Sequence, residues 1–258
     1  MRRLLRADMY RMYHNKKIVI AYFAMAAVAG MMIMMQYTAM DYAVPLSRVI
    51  FLPMTFYGLV AAAFVSFFVG EDFSEGTVRN KIVAGNRRSH IYLSQLFCVW
   101  TASLLLYLLT LLLTVSVSLP MFEKNVTGGE IVSFAVYGCF TVLAIGSIFC
   151  LISVCIGNRS VAVTVCMGMA FFMLFLCLHT NQIIAQSPYK DGIVNSHYIE
   201  GGKRLFYELV HDINPMGQIA QLSEMKLLNP IRWIGADIVW ICLAIIVGCM
   251  CFGKKDIR

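Results

Sequence analysis

Six stretches of this chain are apolar for long enough to cross a hydrocarbon core about 30 Å thick, which takes roughly 20 helical residues. They fall at residues 18–37, 49–70, 96–119, 131–156, 161–179 and 231–252. Backbone N–H and C=O groups inside lipid find no water, so each segment must close its own hydrogen bonds, as a helix does. A closed barrel would show short segments of alternating polarity instead. The expected fold class is therefore an all-α membrane protein with six transmembrane helices, occupying the chain as one domain. Composition agrees: 60% of the 258 residues are hydrophobic and 14% charged, with a mean hydropathy of +0.74, far from the balance of soluble domains. The first run is too long for a cleavable leader, and residues 31–35 followed by Gln36 and Tyr37 offer no small-residue cleavage site.

Lys and Arg placement sets the expected orientation. The segments on the N-terminal side carry Arg2, Arg3, Arg6, Arg11, Lys16 and Lys17, then Arg79, Lys81, Arg87 and Arg88, then Arg159, and finally Lys254, Lys255 and Arg258. That is fourteen of the 21 basic residues, and the two short loops on the other side hold one each, Arg48 and Lys124. The positive-inside rule then places both termini in the cytoplasm. The formal net charge of +7 is explained by topology, with no nucleic acid expected as a partner.

Catalytic chemistry is missing. There is no GxxxxGK[ST] loop, no HExxH and no Gly-x-Ser-x-Gly turn, so no ATP site or hydrolase machinery is expected in this chain and it is not expected to be an enzyme. All nine cysteines (Cys98, Cys139, Cys150, Cys155, Cys166, Cys177, Cys242, Cys249, Cys251) lie in the apolar runs, without metal-type spacing. Met31, Met32, Met34 and Met35 point around a helix and cannot converge on one ion. The span interiors are almost free of charge, whereas ion-coupled carriers keep an ionisable group at depth. Asp237 is the exception, about six residues or roughly 9 Å into the last span. It is expected at a partly hydrated helix end, and it is the candidate pathway residue.

Three of the segments outside the spans carry a pattern of their own. Residues 1–17 read as an interfacial amphipathic helix, with Leu5, Met9 and Met12 at helical spacing and Arg2, Arg3, Arg6 and Arg11 toward head groups. Residues 180–230 form an outer loop whose stripe of Leu205, Phe206, Leu209, Val210 and Ile213 stops at Asn214 and Pro215. One or two re-entrant or interfacial helices are expected there, sealing the mouth of a pathway or forming a solvated cap. Residues 71–95 form the inner loop. Thr77 can cap a short helix that Gly85 and Asn86 close, and Ser89 can cap the next span. Two turns are marginal alone in water, so Val78 and Ile82, one turn apart, must dock against the membrane surface or an intracellular partner.

The wording of that loop, Glu71, then Gly76, Thr77, Val78, Arg79, Asn80, Lys81 and Ile82, then Arg87 and Arg88, resembles the inner loop of ABC type-2 transporter permeases. The six spans, the basic helix before the first, the short turn Gly157, Asn158, Arg159, Ser160, and the excursion before the last span are also similar to that family. Gly253, Lys254, Lys255 and Asp256 look like the close of its Gram-positive members. The resemblance implies a bacterial cytoplasmic membrane and an export function, with the loop acting as a coupling helix seated on a separate ATP-binding cassette subunit. ATP and magnesium would be bound by that subunit and no cofactor by this chain. A second permease chain, identical or homologous, would complete the pathway for an amphipathic peptide, drug or lipid-like substrate, as in self-protection against peptide antibiotics. The alternatives from the residues themselves are a secondary carrier or channel, and a non-transporting anchor or sensor subunit.

Overall fold

Helix after helix follows the apolar runs, and the differences lie at their ends. The computed structural model describes residues 2–39, 44–190, 193–195 and 198–255. Helix α1 (Arg2–Tyr13) lies against the start of the third span, and α2 (Lys16–Ala39) is the first span. Asn15 joins them, its side-chain oxygen accepting from the Lys17 N–H at 2.9 Å. The second span enters through two 3-10 turns, Leu46–Arg48 and Leu52–Phe56, before α3 (Tyr57–Ser74) begins. Pro45 and Pro53, which have no N–H to give, stand at the starts of these turns. The expected stop at Gly70 does not occur, because α3 runs on through Glu71 and Asp72.

After the short α4 (Thr77–Val83) come three long spans, α5 (Arg88–Ser118), α6 (Gly128–Ile156) and α7 (Arg159–Ile184). Thr127 and Glu130 form a reciprocal capping box at the start of α6, and Asn158 caps α7 by accepting from Val161 N–H. A two-residue-per-strand hairpin, β1 (Tyr189–Lys190) and β2 (Ile193–Val194), precedes α8 (Gly202–Ile213), α9 (Pro215–Ser223) and the last span, α10 (Pro230–Lys254). The two Asn-Pro pairs begin helices as well as ending runs. Asn214 and Asn229 accept first-turn N–H groups, and the prolines occupy the first helical position where no N–H is needed.

Six helices are long and apolar enough to cross a membrane, so this is an all-α multi-pass membrane protein. The spans at the centre are α3 with its entry turns (67% buried) and α6 (61%), while α2, α7 and α10 (28%, 28% and 17%) turn most of their surface outward. Met31, Met34 and Met35 lie on that outward surface of α2.

Close packing here depends on glycine seats under aromatic rings. A Cβ on Gly248 would lie 2.1 Å from the ring of Tyr92, whose hydroxyl donates to Ala244 O at 2.7 Å. A Cβ on Gly138 would lie 2.2 Å from the Tyr107 hydroxyl oxygen. A Cβ on Gly58 would lie 2.3 Å from Met216 Sδ of α9, whereas one on Gly30 would meet nothing within 4 Å.

Two outcomes check this architecture. Gly248→Ala should lower thermal stability in detergent by about 1–3 kcal/mol, since the Tyr92 ring has to leave its seat. Single cysteines replacing Arg79 and Lys203 in a cysteine-free background should be labelled from opposite sides of the membrane. Labelling of both from one side would contradict six crossings.

Candidate functional site

The end of the bundle that carries both termini is organised by four charges. Asp8 of α1 and Asp72 of α3 are almost fully buried, and Lys81 of α4 reaches between them. Its Nζ is 2.7 Å from Asp8 Oδ1 and 3.2 Å from Asp72 Oδ2. Arg11 of α1 pairs with Asp72 and lies over the Phe68 ring. From α5, Ser94 Oγ donates to Asp8 at 2.6 Å and Gln95 Nε2 donates to Asp72 at 2.5 Å. Two acids and two bases cancel, and their hydrogen bonds draw on four helices. Burial holds the Lys81 ammonium below its usual range, opposed by the adjacent Asp8. Alongside, Glu71 pairs with Lys17 and accepts from Asn15 at 3.1 Å.

Arg11 is thus turned inward to Asp72 and does not face head groups as expected. Asp8 was not singled out from the sequence, although its place between Leu4 and Met12 on one stripe marks it as inward-facing. Asp72 gave no signal of its own, because its burial follows from α3 continuing past Gly70.

Helix α4 begins after Gly76, whose φ of +68° needs no side-chain cap, and is followed by Gly85 at φ +81°. Thr77 is therefore the first helical residue and not the cap. Asn86 Nδ2 donates to Lys81 O at 3.0 Å, closing the far end. Val78 is 1% exposed and Ile82 packs beside it on the chain's own core. The docking face expected for these two residues is therefore occupied within the molecule, and Lys81 is spent on Asp8 and Asp72. What α4 leaves outside is Arg79, Asn80 and Val83, the last 81% exposed. Arg87 is exposed as well. Arg88 donates to Gly253 O at 3.1 Å and Lys255 O at 2.6 Å, fastening the end of α10 to the start of α5. Ser89 does not cap that span; it is its second residue.

At the opposite end, α8 and α9 fold back onto the bundle. Asn214, at the break between them, donates to Met173 O at 2.8 Å. Helix α9 is buried along most of its length, while α8 keeps Leu205, Phe206 and Ile213 exposed. Asp237 is fully buried, not at a hydrated end. Its Oδ2 is 3.2 Å from Thr141 Oγ1, which also meets Gln218 Oε1 at 3.1 Å and receives the Trp233 N–H at 2.7 Å. Gln218 donates to Asp212 O at 2.8 Å, and Asp237 Oδ1 has no hydrogen-bond partner among the described residues. Helix α9 thus supplies the polar side chain that links Asp212 to the Asp237 pocket.

His211 is buried against α7, with Nδ1 2.8 Å from Thr180 Oγ1. Desolvation pushes its pKa down to about 4. Burial likewise raises the neighbouring Asp212, which accepts from Gln221 at 2.9 Å. Among the described residues no group of three or more His, Cys, Asp or Glu side chains is arranged to hold a metal ion. No family model matches this chain, and no curated protein matches it.

Lys81→Met should destabilise the protein by about 3–5 kcal/mol, since buried Asp8 then has no cation and Asp72 keeps Arg11 alone. Adding Asp8→Asn should recover part of the loss in the same thermal-unfolding measurement. His211 makes a pH prediction. A folded pKa below the unfolded value of about 6.5 leaves its contribution fully present above that pH and lost as pH falls toward about 4. The melting temperature of the wild type should therefore fall more than that of His211→Gln between pH 7 and pH 4.5. Taking the difference removes the opposing effect of Asp212.

Proposed function

We propose that this chain is the membrane-spanning subunit of an ATP-driven exporter of the ABC type-2 permease kind, working in a bacterial cytoplasmic membrane with both termini inside. ATP and magnesium are bound by a separate ATP-binding cassette subunit, and this chain has no ATP site of its own. A second permease chain completes the pathway, and the cargo is an amphipathic peptide, drug or lipid-like molecule. The observation that carries the reading is the geometry of α4. It is a short helix pinned from within by Val78 and Lys81, and its free face holds Arg79, Asn80 and Val83 out at the termini end. An arginine, a residue type enriched at protein interfaces, stands here beside an uncovered valine on a helix held from within, which leaves both available to a partner. The wording of the loop around it, which resembles the coupling segment of that family, adds the identity of the partner.

Of the residues expected at the ATPase, Arg79 and Asn80 keep that role in this reading, and Val83 takes the part that spacing gives to Val78 and Ile82. Val83→Asp should reduce co-purification of the ATP-binding subunit by more than tenfold, from a lost burial of about 1.5–3 kcal/mol plus the cost of drying a carboxylate. Arg79→Ala should reduce it by less, because a rim pair is worth about 1 kcal/mol or less. Val78→Asp should instead lower the yield of the folded chain itself. Undiminished recovery of the ATPase with Val83→Asp and Arg79→Ala combined would refute the docking face. The purified chain alone should hydrolyse no ATP.

One observation favours a second reading, a secondary carrier. Asp237 is a buried carboxylate with an unpartnered oxygen inside the spans, where a coupling ion or proton would be held. The two readings separate in proteoliposomes. An exporter transports with its ATPase and ATP in the presence of a protonophore, whereas a carrier stops.

A further inference from the structure

A groove of about 480 Å³ opens along the outside of the bundle between α2 and α3. Ala21 and Ala24 of α2 and Ala63 of α3 hollow its floor, so that its walls are almost wholly apolar. Its end toward the termini is different in kind. Lys17 and Arg159 both line it there, the first from the start of α2 and the second from the start of α7. Arg159 is held in place by backbone contact, since a Cβ on Gly70 would come within 3.0 Å of its Cα. Its guanidinium stacks over Phe67 at 5.2 Å and makes no ion pair among the described residues. Lys17 pairs with Glu71, leaving one acid against two cations at the mouth.

The dimensions match one leaflet. From Lys17 to Ala24 the groove follows α2 for about 10 Å at roughly 1.5 Å per residue, within the roughly 15 Å that half a hydrocarbon core provides. The cations therefore stand at head-group depth and the hollow lies beneath them. We propose that this groove is a binding site for an anionic phospholipid of the leaflet on the termini side, with an acyl chain along Ala21, Ala24 and Ala63 and the phosphate against Arg159 and Lys17. Arg159 is the principal contact, because its planar fork is free to bond two phosphate oxygens. A second copy of the chain seated here about a two-fold axis would set the same cations against each other, which disfavours it as the occupant. The site goes beyond the exporter reading and does not depend on it.

The test uses the full-length chain, purified in detergent and stripped of lipid, with bound lipid counted by native mass spectrometry. Dioleoylphosphatidylglycerol should be retained about tenfold more readily than dioleoylphosphatidylcholine. Arg159→Gln should bring the two to the same level, a loss of the size that charge-assisted contacts give. Unchanged retention of phosphatidylcholine in that variant serves as its folding control. Ala24→Phe, which fills the hollow and leaves both cations, should exclude both lipids. Equal retention of the two lipids by the wild type, or a preference that survives Arg159→Gln, would overturn the assignment. Displacement of phosphatidylglycerol by an equal concentration of inorganic phosphate would show that the anion alone is recognised and overturn it as well. Efficient cross-linking of two copies through Ala24→Cys would give the groove to a second chain.

Discussion

The lysine of α4 sits where a membrane protein can keep a cation dry only by surrounding it with acids. Lys81 has a carboxylate on each side, and the Arg11 guanidinium balances the second of them. Removing water from four charges is unfavourable by several kcal/mol per ion unless the pairs are close and their other atoms are bonded. Ser94 and Gln95 supply those bonds. The cluster makes one body out of pieces that local preferences would leave apart, namely an interfacial helix, the last turn of the second span and a seven-residue helix too short to persist by itself.

That arrangement explains which parts were legible in the sequence. The spans were, since the length of an apolar run has one meaning in a bilayer. The helix in the loop was, because Gly85 and Asn86 close it, although the sequence places its start at a Thr77 cap. The faces of that helix were not. Spacing places Val78 and Ile82 together, but whether their shared side meets the protein's own core or a partner depends on Asp8 and Asp72, which lie 70 and six residues before Val78. Caps failed for a similar reason. Thr77 and Ser89 have suitable side chains, yet a left-handed Gly76 and an extended Arg87 take the capping positions without using a side chain. Asp237 was visible as an anomaly, but its burial follows from α9 folding back to bring Gln218 against it, and that return is a tertiary event.

The two ends of the bundle handle polar groups differently. At the termini end the charges are matched in number, while Arg11 Nε and Gln95 Oε1 are left without a hydrogen-bond partner among the described residues. At the other end hydroxyl, amide and indole groups converge on Thr141, and an oxygen on each of Asp212 and Asp237 is left without a partner. Both clusters are partly satisfied, and the ion-paired bonds of the first hold their partners more tightly than the bonds from neutral donors in the second. The difference is one of charge, with ion pairs at the termini end and neutral donors around lone carboxylates at the other.

Ion pairs at contact distance are stiff, and this gives α4 a mechanical property. Lys81 ties α4 directly to α1 and to the foot of α3, so Val83 is joined to the bundle by ion pairs as well as by the chain at Gly76 and Gly85. The same path runs backwards. A change in the seat of α1, such as a bulky N-terminal fusion would impose, therefore bears through Asp8 on the helix that presents Arg79 and Val83.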